Sequence, residues 1–60
     1  MKLRKADAET GYHKAQVELT DDLAEQIAAF NGCLNAQQVR EALSKGERVY
    51  TTFSYYIRIS

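Results

Sequence analysis

The chain has 60 residues, 45% of them apolar, with eight Lys and Arg balanced by eight Asp and Glu and a single cysteine. That length allows one domain, residues 1–60, which buries only about 60% of its unfolded surface and is marginal alone; it excludes a two-domain nucleotide-binding enzyme and a barrel. No apolar run is long enough to cross a membrane, and the basic start Met1-Lys2-Leu3-Arg4-Lys5 is followed by Asp7 and Glu9 rather than by the apolar stretch of a signal peptide.

Glycines at 11, 32 and 46 divide the chain into four parts. In the first, Asp7-Ala8-Glu9-Thr10-Gly11 reads as a loop between two antiparallel strands, Lys2–Ala6 and Tyr12–Leu19. With a loop of residues 7–11, Leu3 lies opposite Ala15 and Met1 opposite Val17, which gives one apolar face. The other face takes Lys2, Arg4, Lys14 and Gln16, with Arg4 opposite Lys14. A helix over 2–16 is the rival reading, weakened by Gly11 at a cost of about 1 kcal/mol.

The second part predicts a helix. Thr20 is an N-cap, Asp21 and Asp22 sit where the helix dipole favours acids, and Leu23, Ile27 and Phe30 repeat at helical spacing up to the stop at Asn31-Gly32. The third part predicts a second, shorter helix. Asn35 with Gln38 fits a capping box, and Val39, Ala42 and Leu43 form its apolar stripe.

The fourth part alternates. Val49, Thr51, Phe53, Tyr55, Ile57 and Ile59 fall on one face, and Tyr50, Thr52, Ser54, Tyr56 and Arg58 on the other. A 12-residue strand would run about 40 Å, against about 16 Å for the first helix. Either the strand bends near Thr52–Ser54 into a hairpin, or its overhang pairs with another chain. With no Gly, Asn, Asp or Pro to mark a turn, the favoured reading is one long strand shared in a dimer, with Phe53, Tyr55, Ile57 and Ile59 as its contact residues.

The fold class expected is therefore α+β: a small antiparallel sheet with two short helices on one face, order ββααβ. The charges separate along the chain, with a net of −2 over residues 1–30 and +2 over residues 31–60. Lone Cys33 excludes an intramolecular disulfide, favours the cytoplasm, and reads as a small semi-buried residue in the interhelical turn. One His and one Cys cannot supply a structural zinc site, and no glycine-rich phosphate loop is present. Asp21 and Asp22, with Glu18 or Glu25, read as complements to a helix N-terminus rather than as metal ligands. No catalytic residue, metal or cofactor is expected. The candidate interaction face combines Lys2, Arg4, Lys14, Tyr50, Tyr56 and Arg58, cations interleaved with aromatics. Such a face suits a protein partner or unpaired nucleic acid.

Two resemblances add to this. Lys14-Ala15-Gln16-Val17-Glu18-Leu19, the stretch Thr20 to Phe30, Asn31-Gly32 and Val39-Arg40-Glu41-Ala42-Leu43 resemble the ribbon, first helix, turn and second helix of the ribbon-helix-helix DNA-binding proteins. That resemblance implies a dimer whose paired ribbons enter the major groove, with Lys14, Gln16 and Glu18 outward. Residues 21–59, with Ala-Glu-Gln-Ile-Ala, Val-Arg and a terminal Tyr-Ile-Arg-Ile, are similar to the GnsA/GnsB family of small enterobacterial and prophage proteins. That similarity implies association with membrane lipid composition and toxin–antitoxin behaviour. The function expected is that of a small non-enzymatic bacterial or phage/prophage accessory protein acting through protein–protein contacts, as a homodimer and without membrane insertion. The alternative is a nucleic-acid-binding regulator.

Overall fold

The computed structural model describes all 60 residues. Its elements are β1 (Lys2–Asp7), β2 (His13–Glu18), α1 (Asp21–Asn31), α2 (Ala36–Ser44), β3 (Val49–Tyr50) and β4 (Ser54–Arg58). The strands form one antiparallel sheet in the order β2-β1-β4-β3. The fold is α+β as expected, with a sixth element because the C-terminal segment takes the hairpin alternative rather than the favoured single long strand.

The β1–β2 hairpin keeps the expected faces but not the expected register. Leu3 pairs with Val17 and Arg4 with Gln16, two residues further along than the loop length suggested. The shift removes the Arg4/Lys14 like-charge pair and sets Lys2 opposite Glu18. It is absorbed by a bulge, because Lys5 pairs with Ala15 while Ala6 pairs with His13. Lys14 is thereby the extra residue, released from the regular alternation. Gly11, at φ +78°, closes the loop in the left-handed region, where a side chain is strained.

The helices follow the sequence closely. Thr20 Oγ1 accepts from the Leu23 N–H at 3.1 Å, and Gly32 at φ +78° ends α1 by donating to the Ala28 carbonyl. Asn35 and Gln38 form the complete capping box, at 2.8 and 3.0 Å. Two positions differ from expectation. Phe30 lies on the periodic stripe yet is 66% exposed, beside the 51–53 bend rather than over the core. Cys33, expected to be semi-buried, is exposed in the α1–α2 link.

The long C-terminal strand does not form. The chain bends at 51–53, and β3 folds back on β4 with Val49 opposite Tyr56 and Tyr50 opposite Tyr55. No residue other than glycine takes positive φ, so this is not one of the usual two-residue hairpin turns. Tertiary hydrogen bonds hold it instead. The Phe53 carbonyl accepts from the Ala8 N–H at 3.1 Å and from the Lys14 Nζ at 3.3 Å, while the Ser54 carbonyl accepts from Thr51. The bend also changes which residues share a face. Tyr56 joins Val49 on the helix side, and Tyr55 joins Tyr50 and Ile57 on the other.

The core lies between the helices and the inner sheet face. Leu3, Val49 and Tyr56 from the sheet meet Ala24 and Ile27 of α1, Val39 and Leu43 of α2, and Leu19 from the β2–α1 link. Arg40 of α2 reaches Asp21 at the start of α1, tying the helices at their outer surface. Only 11 of the 60 residues are buried, so one layer of side chains holds the domain together and the opposite sheet face has no covering layer.

Candidate interaction face

The open face is built by alternation on backbone-paired strands whose inner residues face the helices. β1 contributes Lys2, Arg4 and Ala6; β4 contributes Tyr55 and Ile57; β3 contributes Tyr50; β2 contributes His13, Gln16 and Glu18. An apolar row along β4, extended by Ile59 at 48% exposure, is therefore flanked by the cations of β1.

Its centre is packed without a second layer. Ala6 is fully buried and Tyr55 is 4% exposed, although neither belongs to the helix-side core. The Arg48 guanidinium lies over the Tyr55 ring at 4.7 Å, and the Tyr50 ring meets Tyr55 at 5.5 Å between centroids, tilted by 42°. Hydrogen bonding to Tyr50, reinforced by Tyr55, pushes the Arg48 pKa above its already high ordinary value, so this group stays cationic. Arg4 donates from Nη2 to the Gly11 carbonyl at 2.7 Å, fastening the hairpin loop against the same face. Asn31 of α1 donates to the Tyr50 carbonyl at 2.7 Å and holds the short edge strand in place.

Of the six residues expected on this face, the structure brings Lys2, Arg4 and Tyr50 onto it. The other three are placed elsewhere. Tyr56 points inward and is 7% exposed, because the bend reverses the alternation. Arg58 lies on the helix side, opposite Leu3, and donates to the Ser44 carbonyl at 3.0 Å. Lys14 sits in the bulge and donates to Ser54 Oγ at 2.8 Å, with Asp7 at 3.8 Å. The residues expected along a shared strand also separate. Phe53 is in the bend at 76% exposure, Tyr55 is covered by Arg48, Ile57 is half-buried, and Ile59 is exposed.

Arg48 and His13 join the face without having been expected there, and Gln16 and Glu18 stand outward beside them. Arg48 shares the parity of Tyr50, and that spacing was the one signal available for it. Glu18 lies opposite Lys2, and its Oε1 is 3.4 Å from the Met1 amino group. His13, which opens β2, and Cys33, in the α1–α2 link, lie in different layers. Among the 60 residues no group of three His, Cys, Asp or Glu side chains is placed to hold a metal ion, and no helix is long and apolar enough to cross a membrane. The chain matches no known protein family, and no curated protein or solved structure is detectably similar to it.

Proposed function

We propose that the chain is a non-enzymatic interaction module that dimerises through the open face of its sheet. The observation that carries this reading is the one-sided architecture. Both helices cover one face, while the other presents Tyr50, Ile57 and Ile59 beside a core of few residues. A bare sheet face with an apolar row is stabilised by a second copy packed face to face. Four strands about 4.8 Å apart and about 20 Å long give a footprint on the order of 400 Å². Standard interfaces bury about 800 Å² per partner, so the expected dimer is weak, dissociating in about the micromolar range.

The outer edge of β2 is a less favourable meeting point. It carries His13, Lys14 and Glu18 and the bulge, which are features that discourage edge pairing. This bears on the ribbon-helix-helix resemblance, since the ribbon segment already pairs with β1 of its own chain. The similarity of residues 21–59 to the GnsA/GnsB proteins supports an accessory role in bacteria or their prophages, and the exposed, unbridged Cys33 suits a reducing cytoplasm.

Sedimentation velocity across a concentration series tests the proposal. The wild-type chain is expected to shift from 6.8 kDa towards twice that mass, and Ile59→Lys is expected to remain monomeric with unchanged secondary structure. A wild-type chain that stays at 6.8 kDa at high micromolar concentration removes the dimer.

The second reading, nucleic-acid binding, is favoured by Tyr50, which is 45% exposed, with Arg48 over the adjoining Tyr55 ring and Lys2 and Arg4 further along β1 on the same face. A single available ring with three cations supports a short contact with unpaired bases and phosphates. Tyr55 cannot add a second stacking platform while Arg48 occupies its face.

A further inference from the structure

We propose that the groove between the second half of α1 and the 51–53 bend binds a small aromatic carboxylate. The groove lies on the helix side of the sheet, away from the open face, and is a half-open cleft of about 230 Å³. Ile27 and Tyr56 form its apolar floor, and Phe30 and Phe53 stand beside it at 66% and 76% exposure. These are two of the most exposed apolar side chains in the molecule, and they flank one cavity.

Lys5 gives the groove its chemistry. It occupies an inward position of β1, opposite Ala15 and Tyr56, where the alternation that buries Leu3 calls for another apolar residue. Its ammonium makes no ion pair and no hydrogen bond with the rest of the chain, and lies over the Tyr56 ring, 5.8 Å from the centroid. Arg4 and Lys14 on the same hairpin both direct their donors to the protein. No acidic side chain lines the groove, whereas Gln26 and Thr52 do, and neither side chain makes a hydrogen bond within the chain. An unpaired cation, polar rim groups and an apolar floor match a ligand with one negative charge and an apolar body.

Size and shape narrow the class. A volume of 230 Å³ falls below the roughly 300 Å³ at which drug-sized pockets begin, so the occupant is one ring with a short acid arm. Two phenylalanines on the rim and a tyrosine below favour an aromatic ring, which gains edge-to-face or offset contacts. A single lysine favours a monocarboxylate over a phosphate dianion, which recruits arginine forks or several cations.

The test compares phenylacetate with phenylacetamide, a neutral molecule of the same shape, by amide chemical shifts of the ¹⁵N-labelled chain. Phenylacetate is expected to move the signals of Ile27, Phe30, Thr52 and Tyr56 and to saturate on the order of a millimolar, as suits so few atoms. Phenylacetamide is expected to bind at least about tenfold more weakly. In Lys5→Met, which keeps the apolar stem, the two should bind alike. In Phe53→Ala both should weaken together. Equal binding of acid and amide by the wild-type chain overturns the proposal, with no variant needed, as do shifts that map to other residues. Tighter binding of a peptide ending in a free carboxyl group than of phenylacetate also overturns it. Dimerisation is read on the opposite face, so either proposal can fail without the other.

Discussion

Lys14 and Ser54 are 40 residues apart in the chain, yet the Lys14 Nζ donates to the Ser54 Oγ at 2.8 Å. Ser54 is the one buried polar residue, and this bond satisfies it at the point where the chain turns into β4. The released residue of one hairpin thus braces the bend of the other.

Breaking that brace is expected to destabilise the domain measurably. Lys14→Met and Ser54→Ala should each cost about 1–2 kcal/mol, since a buried hydroxyl or an ammonium loses its partner. In a domain of this size, 1 kcal/mol lowers Tm by about 4–8 °C. The double variant should be less destabilised than the sum by roughly 0.5–1 kcal/mol, as expected for partners in contact. Additive losses in thermal melts would show that the two side chains act separately.

The core and the periodic stripe make opposite predictions for two apolar residues. Leu3 is fully buried, so Leu3→Ala should cost about 2–5 kcal/mol. Stability of about 0.05–0.15 kcal/mol per residue leaves a chain this short little to spare, and the variant should be largely unfolded at 37 °C. Phe30→Ala, on an exposed turn of the same core helix, should stay within about 0.5 kcal/mol. Urea titrations of the two variants separate them.

Acid should reveal Asp7. Its Oδ1 accepts from the backbone N–H groups of Thr10 and Glu9 at 3.0 and 2.9 Å. The Thr10 bond first, then Glu9, with Lys14 adding attraction, holds the carboxyl below its ordinary 3.8. A depressed pKa contributes stability that is complete above the ordinary value and is lost as pH falls through the depressed one. Asp7→Asn keeps the acceptor oxygen and removes the charge. The stability advantage of wild type over this variant should therefore be present at about pH 5 and shrink by about pH 2. An advantage that is unchanged between those conditions counts against the loop carboxylate as its source.

Salt distinguishes the two readings of the open face by sign. Packing two copies brings Lys2, Arg4 and Arg48 towards their equivalents, so screening should strengthen the dimer. Binding to nucleic acid releases counterions, so the same salt should weaken it. Sedimentation and a single-stranded DNA titration, each at low and high salt, read the two slopes.

The two helices were legible because their signals are local. Thr20, the Asn35/Gln38 box and Gly32 each act within three or four residues of where they stand. The first hairpin was legible in its faces but not in its register, because the Lys5/Ala6 bulge depends on how Lys14 is accommodated across the molecule. The bend at 51–53 carries no turn residue, since its bonds come from Ala8 and Lys14, and nothing in Thr51-Thr52-Phe53 announces them. Missing that bend reversed the parity of everything after it. Tyr56 and Arg58 were therefore expected on the open face, and Tyr55 among the inward residues. Two of the six residues of the candidate face were thus lost to one non-local turn and a third, Lys14, to the bulge, while Lys2, Arg4 and Tyr50 fall on the open face as expected.

The strand order has a kinetic consequence. β1 and β4, the first and last strands, are neighbours at the centre of the sheet, and Ile59 donates to the Lys2 carbonyl at 2.9 Å. The capped helices can form from short-range contacts, but Leu3 and Tyr56 meet only when a loop of almost the whole chain closes. Closure of that length sets a slow step that local helix propensity does not relieve. During synthesis β1 and β2 emerge early, and β1 waits with one edge unpaired until residues 54–58 arrive.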